Sequence, residues 1–297
     1  MRGHCAAPYC DRRFPDAPRW YLGEPKDARM RLPDDILRAV AFVGVRLGNE
    51  VVYGGTAFLT SVPFEKAPDR CVIYLVTARH VVTELQQHGD LCVRFNHKTG
   101  DARLYSIPGK WSFHRDEAVD LAAVAINIPL TVDYATYDTE VYVTDDKVAG
   151  YGIGIGDEIA MTGLFHQREG YRRNIPVLRS GVIAAMPDEP LVDVRGRSFD
   201  GYLLEVRSIG GLSGSPVFAV LPPRRPLVDG VTEPVPHALF LLGIVRGHWN
   251  QSALLSLNKK PTFLDIEQFN AGIAVDAKSE GRGATSRGGF SGRSESA

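Results

Sequence analysis

From Val40 onward the chain is a succession of short apolar runs cut apart by glycine, proline and aspartate, and this punctuation limits the available folds more than any other feature. The first series covers 40–47, 51–60, 71–77, 91–95, 102–107 and 119–126; the second covers 158–165, 175–185, 201–206, 216–221, 238–246 and 272–275. Runs of this length read as strands. Their even spacing, with turn residues between, indicates an all-β sandwich or barrel rather than alternating strand–helix units. Val81 to His88 reads as one or two helical turns, and 34–40 as a short helix or strand entry. At 297 residues and 44% hydrophobic content the chain can bury a substantial core. Its longest apolar run, Ala238 to Val245, has the length of a buried strand and falls short of the ~18 residues needed to cross a bilayer.

The segments outside these runs are read from composition. Residues 1–33 form an irregular leader, and 127–155 the crossing between the two strand series. Pro222 to Pro236 reads as a long hairpin loop. Residues 277–297 are rich in Gly, Ser and Arg, which predicts disorder. His4, Cys5 and Cys10 lack the second ligand pair that a zinc site needs, and no metal or other cofactor is expected. Gly150 to Gly156 lacks the spacing of a phosphate loop and reads as a turn into a strand. Thirty-four Lys and Arg stand against thirty-five Asp and Glu, so no basic field points to nucleic acid or a membrane surface. The Arg-Gly steps of the tail leave a weak contact with RNA beside their solubilising role. With Met1 as the start, the absence of an apolar signal region predicts a cytoplasmic protein. Free thiols are the default there, and the residues leave a Cys71–Cys92 bridge open.

Three segments carry chemistry. Gly211-Leu212-Ser213-Gly214-Ser215-Pro216 sets a serine between glycines ahead of an apolar run. Such a loop can hold a hydroxyl outward while backbone N–H groups face the same space. Leu75 to Val82 carries His80 at the end of an apolar run, and Val119 to Ile126 carries Asp120 opening another. A base near the working pH is what a serine alcohol needs to attack a carbonyl, and a carboxylate on the far ring nitrogen would fix the imidazole's tautomer. The other histidines have no such context.

In their order, Thr77-Ala78-Arg79-His80, Asp120-Leu121-Ala122 and Gly211-Leu212-Ser213-Gly214-Ser215-Pro216 resemble the chymotrypsin-like (trypsin-like) serine peptidases. Gly54 to Thr60, Gly156 to Ile159, Arg179 to Ile183, Gly243 to Gly247 and Gly272 to Val275 are similar to further strands of that family. The resemblance covers roughly 36–276 in segments. It implies two antiparallel six-stranded β-barrels, 34–150 and 151–276, with the site in the cleft between them. It implies a serine endopeptidase acting on a protein or peptide, with His80, Asp120 and Ser213 as a triad and the N–H groups of Gly211 and Ser213 as an oxyanion hole. Arg207, Arg246, Gly247 and His248 fall where that family contacts substrate. Four departures stand out. Leu212 replaces the aspartate that pairs with a new N-terminus in many secreted members, so packing or a partner must hold the loop. Ser215 replaces a glycine, Arg79 an alanine, and Arg246 a serine that supports the aspartate. These departures keep a second reading in play, a peptide- or partner-binding module without catalysis.

Overall fold

The computed structural model describes residues 10–11, 32–64, 66–107, 109–163, 165, 169–192, 196–206, 211–222, 224–226, 232–234, 239–248 and 273–276. Most of the described chain is strand, arranged as two curled sheets. The first sheet is built on β1 (Val40–Leu47), β2 (Glu50–Phe64), β3 (Ala67–Ala78), β4 (Leu91–Asn96), β5 (Ala102–Ser106) and β6 (Leu121–Ala125). The second is built on β7 (Glu158–Gly163), β8 (Val177–Ala185), β9 (Gly201–Val206), β10 (Pro216–Val220), β11 (Leu239–His248) and β12 (Ile273–Asp276). Twelve main strands therefore fall where the apolar runs predict them.

The second sheet closes into a barrel in the order β7-β8-β9-β12-β11-β10. No closing pair of the first stands among the described residues. Its main path runs β5-β4-β1-β2-β3-β6 and ends on a two-residue strand, Ser112–Phe113, that pairs with β6. The two curled antiparallel sheets accord with the expected pair of antiparallel barrels. Among the described residues Tyr137–Asp138 runs parallel to Thr60 and Ser61 of β2, and Tyr142 bridges Leu241 in parallel. Two expectations need correction. Cys10–Asp11, inside the span expected to be irregular, pairs with Cys71 and Arg70 of β3. Gly150 and Tyr151 end a helix, α3 (Asp145–Tyr151), rather than standing in a turn. Two helices precede it, α1 (Asp35–Arg38) and α2 (Arg79–Gln86).

Neither Cys71 nor Cys92 is in a disulfide, and both are buried. They sit on β3 and β4, which β1 and β2 separate, so three ladder spacings of about 4.8 Å lie between them against the ~7 Å limit for a bridge.

The two sheets share apolar contacts. Tyr137, 1% exposed, stacks edge-on against Phe218 of β10 at 4.9 Å and donates its hydroxyl to Ile36 O. Thr162 of β7 donates to the same carbonyl, and the Val143 N–H to Leu241 O of β11. A second join lies where the chain between β7 and β8 crosses β4 and β5. Asn96 and Asn174 exchange side-chain-to-backbone bonds, the Asn174 amide donates to Arg94 O at 2.6 Å, and the Ala102 N–H to Arg172 O. Among the described residues no helix is long and apolar enough to cross a membrane. The tail 277–297 and most of 1–33 and 222–238 lie outside the described residues.

Candidate active site

Strand register brings His80 and Asp120 together. In the β3–β6 ladder Ala78 lies opposite Leu121, so the residues just beyond, where β3 turns into α2 and the 116–119 turn enters β6, must meet. Val81, Val82 and Leu85 anchor α2 on the sheet. Ala78, before the helix, supplies no side-chain cap. Asp120 does so from the neighbouring strand: its carbonyl accepts the Arg79 N–H at 3.1 Å and its Oδ1 the His80 N–H at 2.8 Å. Its second oxygen, Oδ2, lies 2.5 Å from His80 Nδ1. The carboxylate thus fixes both the backbone and the ring of His80, leaving Nε2 as the nitrogen open to other groups.

The His80 side chain is 34% exposed and that of Asp120 11%. Burial by itself favours neutral imidazole. The hydrogen bond and charge of Asp120, helped by Glu84, outweigh burial and the opposing charge of Arg246, so the His80 pKa sits above its ordinary value.

Ser213 occupies a tight turn closed by the Ser215 N–H on Leu212 O at 2.9 Å. Gly214, third in the turn, has φ 81°, the value a type II turn requires there and that side chains resist. Gly211 on the other side has φ 99°. The turn is clamped from both sheets. The Thr56 N–H of β2 donates to Ser213 O at 2.9 Å and its hydroxyl to Gly211 O, while Thr77 Oγ1 of β3 holds Thr56 O at 2.7 Å. From the barrel side the Gly214 N–H reaches Val245 O, and the Val245 N–H reaches Ser215 O. A Cβ on Gly214 would lie 2.2 Å from both Thr56 O and Thr77 Oγ1, and 3.0 Å from Ala78 N. A Cβ on Gly55 would meet Val81 Cγ2 at 2.8 Å and Ser213 O at 2.9 Å. The residues beside Ser213 and those beside His80 therefore close on the same points of the first sheet. No hydrogen bond joins Ser213 Oγ to His80 among the described residues. Nor does any described acceptor take the N–H of Gly211 or Ser213.

The departures read from the sequence have structural accounts. Leu212, 1% exposed, packs into the barrel core with Val217, Leu242 and Val245, which anchors the loop by apolar contact. Ser215 is fully buried, and its hydroxyl has no partner among the described residues; a Cβ on Gly163 would lie 2.0 Å from it, so the serine fits because residue 163 is glycine. Arg79 leans over the Phe113 ring at 5.2 Å and toward Glu117 at 3.7 Å. The Arg246 guanidinium stacks on Phe199 at 3.9 Å and donates to Ala118 O. Gly247 and His248 pair with Ala274 and Ile273 in the barrel wall. Arg207 lies outside the described residues. A cavity of about 140 Å³ is bounded by Asp116, Ala118 and Val119 on one side and Phe199 and Asp200 on the other. Among the described residues no cluster of His, Cys, Asp and Glu is arranged to hold a metal ion.

Thr56, Thr77 and Phe199 carry positions that the sequence analysis does not assign. A signal existed for the threonines, both wholly buried within apolar strands, where a polar side chain must find a specific partner. Phe199 has no such signal, because its role comes from the arginine laid over it.

No family model matches the chain, and no curated protein does. Solved structures do. Deg5 is similar with 15% identity over 72% of this chain and 81% of its own, at a TM-score of 0.45. The HtrA-type protease AlgW with a decapeptide is similar with 14% identity over 82% of this chain, at a TM-score of 0.46. This chain spans 62% of the length of AlgW. At that identity and overlap the chemistry of the site has to be argued from this chain's own residues.

Proposed function

We propose that this chain is a serine endopeptidase of trypsin-like design, hydrolysing a peptide bond through an acyl-enzyme. The observation that carries the proposal is the double grip of Asp120 on His80, 2.8 Å to its N–H and 2.5 Å to Nδ1, at the edge of a turn that presents Ser213. With Nδ1 committed to the carboxylate, Nε2 is the base that takes the Ser213 proton as Oγ attacks the scissile carbonyl, and later returns it to the leaving amine. Asp120 stays ionised and stabilises the imidazolium formed on the way. The N–H groups of Gly211 and Ser213 receive the oxyanion, and losing one such donor typically costs ~3–4 kcal/mol of transition-state stabilisation. No metal or organic cofactor enters these steps.

Leu212 before the serine and Arg246 beside the aspartate turn favour one alternative, a module that holds a peptide without cutting it. A fluorophosphonate probe decides between them. The peptidase reading expects covalent labelling of the parent chain, none in Ser213→Ala, and a loss on the order of 10⁶ in kcat toward peptides in that variant. A well-folded parent that binds peptide but neither labels nor cleaves would leave the binding module in its place.

A further inference from the structure

We propose that Arg246 is the positioning residue of this site: it crosses the cleft from the barrel, grips the turn that presents Asp120, and sets a positive charge against the His80–Asp120 pair. The inference rests on the peptidase reading and adds to it a residue, expected from the sequence at the substrate cleft, that acts through the turn bearing Asp120.

The first support is a break in the β11–β12 ladder. Val245 faces Val275 and Gly247 faces Ala274, so Arg246 is the extra residue of a β-bulge. A bulge bends its strand and re-aims the side chain it carries. The second is the seat of the guanidinium, 3.9 Å over the ring of Phe199, which is 5% exposed. A planar cation on a buried aromatic face is held in one orientation. The third is what it reaches. Arg246 Nη1 donates to the carbonyl of Ala118, two residues before Asp120. Within the turn itself the Val119 N–H donates to Asp116 O and the Ala118 N–H to Asp116 Oδ1, and Arg246 adds a bond from the other sheet. The fourth is what stands next to Arg246 in the chain. Val245 exchanges two hydrogen bonds with Gly214 and Ser215, so the backbone carrying Arg246 is tied to the serine turn. One residue therefore links the segment that holds Ser213 directly to the segment that holds Asp120, beside the clamp that Thr56 and Thr77 place on the serine turn.

Its charge acts on the same pair. His80 is faced by Glu84 from its own helix, by Asp120 from the turn before β6 and by Arg246 from β11. Arg79, also on the helix, is turned to Phe113 and Glu117. Arg246 is thus the cation that offsets the two carboxylates, and it keeps the imidazole available as a neutral base at lower pH.

The test uses two variants. In Ser213→Ala the His80 ring is titrated by NMR, with and without Arg246→Met. In the active chain kcat, KM and the pH profile of kcat/KM are measured for Arg246→Met and Arg246→Lys. Arg246→Met is expected to move the His80 titration and the acid limb to higher pH and to lower kcat about tenfold or more, with KM little changed. Arg246→Lys is expected to restore the titration but not kcat, because an ammonium keeps the charge and cannot both lie flat on Phe199 and reach Ala118. A His80 titration unmoved by Arg246→Met, or parental kcat in Arg246→Lys, overturns the proposal. If Arg246→Met does not fold, the kcat and His80 titration of Arg246→Lys decide. A parent chain without hydrolysis or labelling overturns the peptidase reading instead, and the NMR titration still reads Arg246 by itself.

Discussion

His80 is pulled in two directions, and the balance sets a pH range. Burial favours the neutral ring, while the hydrogen bond and charge of Asp120 favour imidazolium and prevail. Its pKa in the folded chain therefore lies above the ~6.5 of an unperturbed imidazole. A base works only when neutral, so activity should fall as pH drops through that raised value. The linked stability has the opposite sign: the His80–Asp120 contact stabilises most below the unfolded pKa, and that contribution is lost as pH rises through the folded one. Asp120→Asn removes the largest upward pull. Its expected outcome is an acid limb displaced to lower pH together with a fall in kcat on the order of 10⁴, since an amide holds the ring in the wrong tautomer. An acid limb that stays put in a pH–rate series would show that Asp120 does not govern the ring.

The serine turn is the element on which most of the geometry converges. Gly214 has φ 81° and sits where a Cβ would press to 2.2 Å from a backbone oxygen. Gly214→Ala should therefore destabilise the chain by about 3 kcal/mol or more in denaturant titrations, and abolish probe labelling even where the variant remains folded. Other elements differ in how far the sequence discloses them. The twelve main strands were legible because apolar runs end at Gly, Pro or Asp within a residue or a few of the observed boundaries. Helix α3 was not, although its ends are written out: Thr144 caps the Lys147 N–H, Asp145 and Asp146 fill the first turn, and Gly152 terminates it at φ 61°. It has no buried residue, so the apolar periodicity that would have revealed it is missing. The parallel pairing of Tyr137–Asp138 with β2, and the seat of Arg246 on Phe199, arise from contacts between distant segments. Local pattern carries no record of those. The three segments bearing His80, Asp120 and Ser213 could be picked out because each is short and chemically distinctive, whereas Thr56 and Thr77 look like any strand threonines.

For the molecule as a whole, the relative placement of the two sheets matters as much as either alone. Far from the serine turn, Asn174 binds Arg94 O and its backbone N–H meets Asn96 Oδ1, in an environment where Asn174 is 2% exposed. Asn174→Ala deletes one of these bonds and leaves a carbonyl without its donor, at a cost of about 1–3 kcal/mol. The expected result is a lower urea midpoint, and kcat should fall with it if the strap helps keep the halves in register. Unchanged urea midpoint and turnover would mean that the apolar joins around Tyr137 suffice. The mould of the serine turn has a wider consequence. Thr56 and Thr77, which shape it, lie well over a hundred residues upstream of the loop they shape. During synthesis the template is complete before the part it will shape has left the ribosome, and a fragment starting at Glu158 would inherit the hydroxyl without the surface that orients it.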